Sequence, residues 1–307
     1  MSSTPASQRR DPAALGLIFA LSAFLSWGAA PIYFKMLGDL SALEIVCHRT
    51  VWSVVFTAVV VLAVGRPTEL LAQIRSPRRF GILVVTTFLI SANWLTYIWA
   101  VGQERIVETS LGYYINPLVN VLLGVVFLGE RLNARQTLAV GLALAGVLVL
   151  VAGVGGVPWI ALWLAVSFGI YSLLRKTAGV DPIGGVLVEM VLVAPLALGW
   201  LVWLGAHGEG AFGTRGFGYD LLLAAAGVVT AAPLVLFNLG AQRMRLSTIG
   251  LLQYLSPTMQ LLLGTLVYGE AFTLSHAAAF LLIWIGLAVY SSDAFRAHRL
   301  ARAAAAE

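Results

Sequence analysis

Ten apolar runs, separated by short stretches that hold most of the charge, leave this chain few ways to fold. A helix crosses a bilayer with about 20 apolar residues. Runs near that length fall at roughly 14–36, 42–64, 80–101, 107–128, 134–154, 157–174, 184–205, 220–241, 247–268 and 275–292 of the 307 residues. Only 11% of the residues are charged against 60% hydrophobic, where soluble domains carry about 25% charged residues. The expected fold class is therefore all-α integral membrane, with ten transmembrane helices. The first run follows Arg9 and Arg10, but it is too long for a signal-peptide core and reads as a retained span. Residues 1–13 and 294–307 read as short tails outside the membrane.

Basic residues collect on the cytoplasmic side of a membrane protein. With the N-terminus inside, fifteen of the nineteen lysines and arginines fall on inner segments, among them Arg78, Arg79, Arg131, Arg135, Arg175 and Lys176. Lys35, Arg105 and Arg215 fall outside, and Arg49 lies within the second span. Both termini are expected to be cytoplasmic. The net charge of +5 comes with no basic stripe interleaved with aromatics, so nucleic acid is not an expected partner. A single cysteine, Cys47, and four scattered histidines offer no metal-ligand spacing, and no metal or cofactor is expected. Neither a nucleotide-binding loop nor a nucleophile elbow is present, so the chain does not read as an enzyme.

The chain also repeats itself. Leu111–Asn120, running on to Gly124, Gly129 and Glu130, recurs 140 residues later as Leu251–Gln260 with Gly264, Gly269 and Glu270; Tyr114 and Pro117 match Tyr254 and Pro257. Ser26-Trp27-Gly28 and Lys35 recur at a shift of 141 as Ser167-Phe168-Gly169 and Lys176. Each half, 14–154 and 155–293, holds five spans. Five is odd, so the second copy must thread the membrane in the opposite sense, making an inverted repeat.

Ionisable groups inside a membrane are costly and mark sites. Span two opens with Glu44, His48, Arg49 and Trp52; Glu44, His48 and Trp52 recur every four residues along one helical face, with Arg49 beside it. Two readings stay open there: ion pairs locking helices together, or a polar wall of a solute cavity on which Glu44 or His48 exchanges a proton. Lys35 ends span one on the outer side, either snorkelling or drawing anions to a cavity mouth. Glu189, early in span seven, is the carboxylate of the second half. Asn93, Trp94 and Tyr97 on span three, with Ser110, Tyr113, Tyr114, Asn116 and Asn120 on span four, offer hydrogen bonds without buried charge. Pro117 and Pro257 each free a carbonyl four residues back, so both are hinge candidates, the alternative being a simple packing kink.

The ordered set Trp27-Gly28, Pro31, Tyr33-Phe34-Lys35, Glu44, His48-Arg49, Asn93-Trp94, Ser110–Leu118 and Gly129-Glu130, continued by Arg245–Thr248, Gln253-Tyr254, Pro257-Thr258 and Gly269-Glu270, resembles the RarD family of EamA-type permeases. The resemblance covers nearly the whole chain and departs in the tails and the glycine-rich stretch 205–218. It implies the drug/metabolite transporter superfamily: two inverted five-helix EamA repeats in the bacterial inner membrane, acting as a secondary carrier. The residues expected to line its cavity are Trp27, Lys35, Glu44, His48, Arg49, Asn93, Trp94, Tyr97, Ser110, Tyr113, Tyr114, Asn116, Gln253 and Tyr254. The expected partners are a small organic solute, a coupling proton and membrane lipid; monomer and homodimer both stay open. A membrane scaffold whose polar residues form closed pairs, or a lipid-interacting protein, is the rival reading.

Overall fold

A computed structural model describes residues 12–64, 75–129, 131–154, 156–178, 182–241, 243 and 252–304. The elements in order are α1 (Pro12–Met36), α2 (Ala42–Val64), α3 (Pro77–Gly102), α4 (Ile106–Leu128), α5 (Ala134–Val154), α6 (Trp159–Ala178), α7 (Pro182–Ala206), α8 (Phe217–Ala241), α9 (Leu255–Leu262) and α10 (Leu274–Ala304). A π-helical turn, Leu263–Val267, continues α9. Seven of these helices carry an apolar stretch long enough to cross a bilayer unaided, while Trp159–Arg175, Leu255–Val267 and Leu274–Tyr290 are shorter apolar helices. No strand occurs among the described residues. Inside a bilayer that is the expected outcome, because a helix satisfies its own backbone polar groups.

The expected spans map onto these helices with two differences. The tenth does not end near Asp293 but runs unbroken to Ala304, through a stretch of Ala, Leu and Arg that are strong helix formers. In the ninth, Pro257 sits in the first turn of α9, where a missing N–H removes no intrahelical bond. Pro117 is in the interior of α4. Arg245–Thr248 and Glu130, part of the resemblance, lie outside the described residues.

The inverted repeat is visible in the packing. Helix α4 packs on α6 and α9 on α1; α2 packs on α8 and α3 on α7; α1 packs on α8 and α3 on α6. Each pair becomes the other when the halves are exchanged. Three helix pairs, α2 with α7, α4 with α9 and α5 with α10, map onto themselves and so lie about the pseudo-twofold axis. Individual atoms obey the same rule. A Cβ at Gly146 would meet the Ala279 carbonyl at 2.9 Å, and one at Gly286 would meet the Ala139 carbonyl at 2.9 Å. Asn116 donates to the Ala165 carbonyl and Ser256, its repeat mate, to that of Phe24. Tyr114 and Tyr254 are repeat mates and stack on each other, with centroids 6.1 Å apart. Small residues and interhelical hydrogen bonds are what hold helices together where lipid removes the hydrophobic drive.

Candidate functional site

Helix α2 is wedged between α7, α8 and α3, and this placement divides its polar residues between two environments. Successive residues on a helix point about 100° apart, so neighbours need not share surroundings. Arg49 faces α3 and is 1% exposed. Its guanidinium carbon lies 4.6 Å from the centroid of Trp94. Around it stand Tyr97, 5.6 Å from Trp94 and 5.9 Å from Tyr113, and Phe34, 6.1 Å from Tyr97, all ring to ring. Among the described residues, Arg49 Nε and Nη1 and the Tyr97 hydroxyl have no hydrogen-bond partner, and no carboxylate forms an ion pair with Arg49. The apolar cluster around this group draws on both halves, including Leu37, Val101, Leu164, Ala211 and Leu223.

Glu44 and His48 face elsewhere, toward the connection between α7 and α8. Ala211 N–H donates to Glu44 Oε1 at 2.8 Å, and His48 Nε2 lies 3.9 Å from the same oxygen. Phe212 stacks on His48 and sits beside Trp52. The Glu44–His48–Trp52 face thus exists as a face, but the glycine-rich connection covers it. Neither imidazole nitrogen of His48 has a hydrogen-bond partner among the described residues.

Other expected residues hold helices together. Asn93 donates to the Leu164 carbonyl (3.1 Å) and the Ser167 hydroxyl (2.8 Å), tying α3 to α6. Ser110 donates to the Pro257 carbonyl at 2.7 Å. The Tyr114 and Thr258 hydroxyls share a hydrogen bond in which Tyr114 donates, because Thr258 already donates to the Tyr254 carbonyl. Lys35 lies 3.9 Å from exposed Glu104 and over the Tyr268 ring, at the end of the bundle expected to face outward. Trp27 packs with Phe24 and Phe237, and Gln253 and Tyr254 are half-buried. The structure brings Arg49, Trp94, Tyr97 and Tyr113 together; it does not bring Trp27, Lys35, Glu44, His48 or Gln253 into that group. An open cavity of about 480 Å³ is lined by Thr96, Val157, Trp159, Leu162, Trp163 and Val166, none of them in that group.

Two charged positions have roles that spacing did not reveal. Glu189 is 2% exposed. It accepts from Thr86 (2.7 Å) and Tyr171 (3.2 Å) and lies 3.5 Å from Arg175 Nη1. The repeat shift of 140–141 places it opposite His48 and Arg49, so the two halves put a carboxylate and a guanidinium at matching sites on helices in contact. Tyr171 and Arg175, four apart on α6, were the available signal. Glu270, from the repeated Gly-Glu pair, accepts from Ile106 N–H and Val107 N–H at 2.8 Å each. It caps the N-terminus of α4, where backbone N–H groups lack intrahelical partners and favour negative charge. Gly269 makes the turn into it with a φ of 66°, a conformation that costs glycine little.

Comparison with known proteins agrees with this architecture. The EamA-like transporter family matches residues 14–152 and again 156–292. An uncharacterized transporter of Vibrio cholerae is 45% identical over 94% of this chain and 96% of its own. The protein RarD of Streptomyces exfoliatus is 43% identical over 94% and 91%. One solved crystal structure, 22% identical, covers 92% of this chain and 98% of its own with a TM-score of 0.62, which supports the fold.

Proposed function

We propose that this chain, which belongs to the EamA-like transporter family, is a secondary carrier that moves a small organic solute by exposing a site between its two repeats to each side in turn. One observation carries the reading: a buried guanidinium, its Nε and Nη1 unbonded among the described residues, set among Trp94, Tyr97 and Tyr113 within a bundle of two inverted halves. An arginine used only for packing would be expected to have its donors satisfied, since an unpaired buried charge costs several kcal/mol. Pro117, in the interior of α4, is the proposed bend point, with Pro257 its counterpart at the start of α9. The Glu44–His48 pair, beneath the α7–α8 connection, is the proposed proton-coupling site. The membrane is the bacterial inner membrane, with both termini on the cytoplasmic side.

The test is alternating access. In a Cys47→Ser background, cysteines at Tyr97 and Tyr114 are probed with a membrane-impermeant maleimide from each side of oriented vesicles. A carrier gives labelling from both sides at one or both positions, at rates that solute shifts in opposite directions. A scaffold gives no labelling from either side. Coupling is tested separately: His48→Gln removes the pH dependence of flux, and an unchanged pH profile would assign the proton elsewhere.

A further inference from the structure

The surroundings of Arg49 carry the chemistry of a ligand. Its guanidinium sits on Trp94, where a desolvated cation is attracted by the negative face of the ring. That contact, 4.6 Å from the guanidinium carbon to the ring centroid, satisfies no hydrogen bond of its Nε and Nη1 donors. Among the described residues Nε and Nη1 have no hydrogen-bond partner, and neither does the nearby Tyr97 hydroxyl. The carboxylates that could have neutralised Arg49 are engaged elsewhere: Glu44 by Ala211 N–H, Glu189 by Thr86, Tyr171 and Arg175. Lys35 lies beside Glu104 and over the Tyr268 ring, outside the group. One fixed positive charge, a planar fork of donors and a wall of rings from Phe34, Trp94, Tyr97 and Tyr113 remain.

We infer that Arg49 binds the carboxylate of the transported solute, and that the solute is a monoanion with an apolar or aromatic body. A guanidinium matches a carboxylate with two parallel charge-assisted hydrogen bonds. Phosphate offers the same fork, but a dianion would leave one negative charge uncompensated in a low-dielectric site that holds one cation. Tyr97 supplies a further donor to the carboxylate or to a polar substituent. The rings, which close around the guanidinium in the described conformation, pack on the body of the solute. This inference rests on the carrier reading and gives it a substrate class.

The experiment compares matched acids and amides. Purified protein in nanodiscs of neutral phosphatidylcholine is titrated with 3-phenylpropionate and 3-phenylpropionamide, with binding followed by calorimetry and by thermal stability. The acid should bind at least tenfold more tightly than the amide. Arg49→Gln should bring the acid down to the level of the amide, and Arg49→Lys, which keeps the charge without the fork, should fall between. Equal affinities for acid and amide, or no saturable binding of the acid up to about 10 mM, would overturn the inference. So would a folded Arg49→Gln protein that binds the acid like the parent. The acid–amide comparison in the parent needs no variant, so it decides the matter even if the variants fail to fold. Alternating cysteine access together with a failed acid–amide difference would leave a carrier of another class of solute; loss of both would remove the carrier reading itself.

Discussion

Arg49→Met separates a residue kept for function from one kept for stability. Methionine nearly matches the length of the arginine stem and fills irregular apolar space. The substitution removes a buried charge whose cost within a membrane helix is about 2.5–3.5 kcal/mol on insertion scales. It forfeits the contact with Trp94, 4.6 Å from the guanidinium carbon, worth about 0.5–2 kcal/mol. The carboxylates engaged elsewhere need no rearrangement, because none pairs with Arg49 among the described residues. The difference favours the variant by about 0.5–3 kcal/mol, which for a chain of this size raises the melting temperature by roughly 1–8 °C. Fluorescence-detected size-exclusion after heating, in one detergent and without added solute, reads this directly. Binding of 3-phenylpropionate should be lost in the same preparation. A melting temperature several degrees below the parent would show that Arg49 pins the helices together, and the argument from its unpaired donors would fail.

Four further substitutions probe the frame around that residue. Glu270→Gln leaves one of the Ile106 and Val107 N–H groups facing an amide donor instead of a carboxylate oxygen, so it should cost about 1–3 kcal/mol and lower the melting temperature; an unchanged value would refute the cap. Gly227→Ala places a Cβ 2.3 Å from the Trp52 carbonyl carbon and should cost about 1–3 kcal/mol by forcing α2 from α8, whereas parental stability and yield would deny that close approach. Asn116→Ala and Ser256→Ala remove equivalent bonds to the Ala165 and Phe24 carbonyls; each should lose about 0.5–1.5 kcal/mol, and a large inequality in thermal stability would mean that the two halves are not held alike.

The parts of the fold legible in the sequence were those governed by the solvent. A bilayer demands helices of a given length, so apolar run lengths anticipated the starts of α2 and α5 to the residue and most other helices, as described, within three. The repeat was equally legible, because matched residues such as Tyr114 and Tyr254 meet across the axis that duplication creates. Less legible were the ends governed by local preference. Alanine and arginine continue α10 well past the apolar stretch, and hydropathy alone does not register that.

The site was harder to read because spacing along one helix says which residues share a face, not what lies opposite. Glu44 and His48 do share a face with Trp52, yet Ala211 and Phe212 cover it, and they come from a glycine-rich connection that carries no periodic signal. Arg49, one residue further, turns through about 100° onto Trp94 of another helix. Asn93 and Ser110 met the sequence criterion for a wet lining equally well, but their side chains donate to Ser167 and to the carbonyls of Leu164 and Pro257. Polarity within a span identifies groups that need a partner; the identity of the partner is a long-range fact. The useful discriminator is therefore which donors remain unspent once helix–helix bonds are assigned. By that measure the Arg49 guanidinium, buried and without a carboxylate among the described residues, points to a solute more strongly than the better-paired Glu189 of the opposite half.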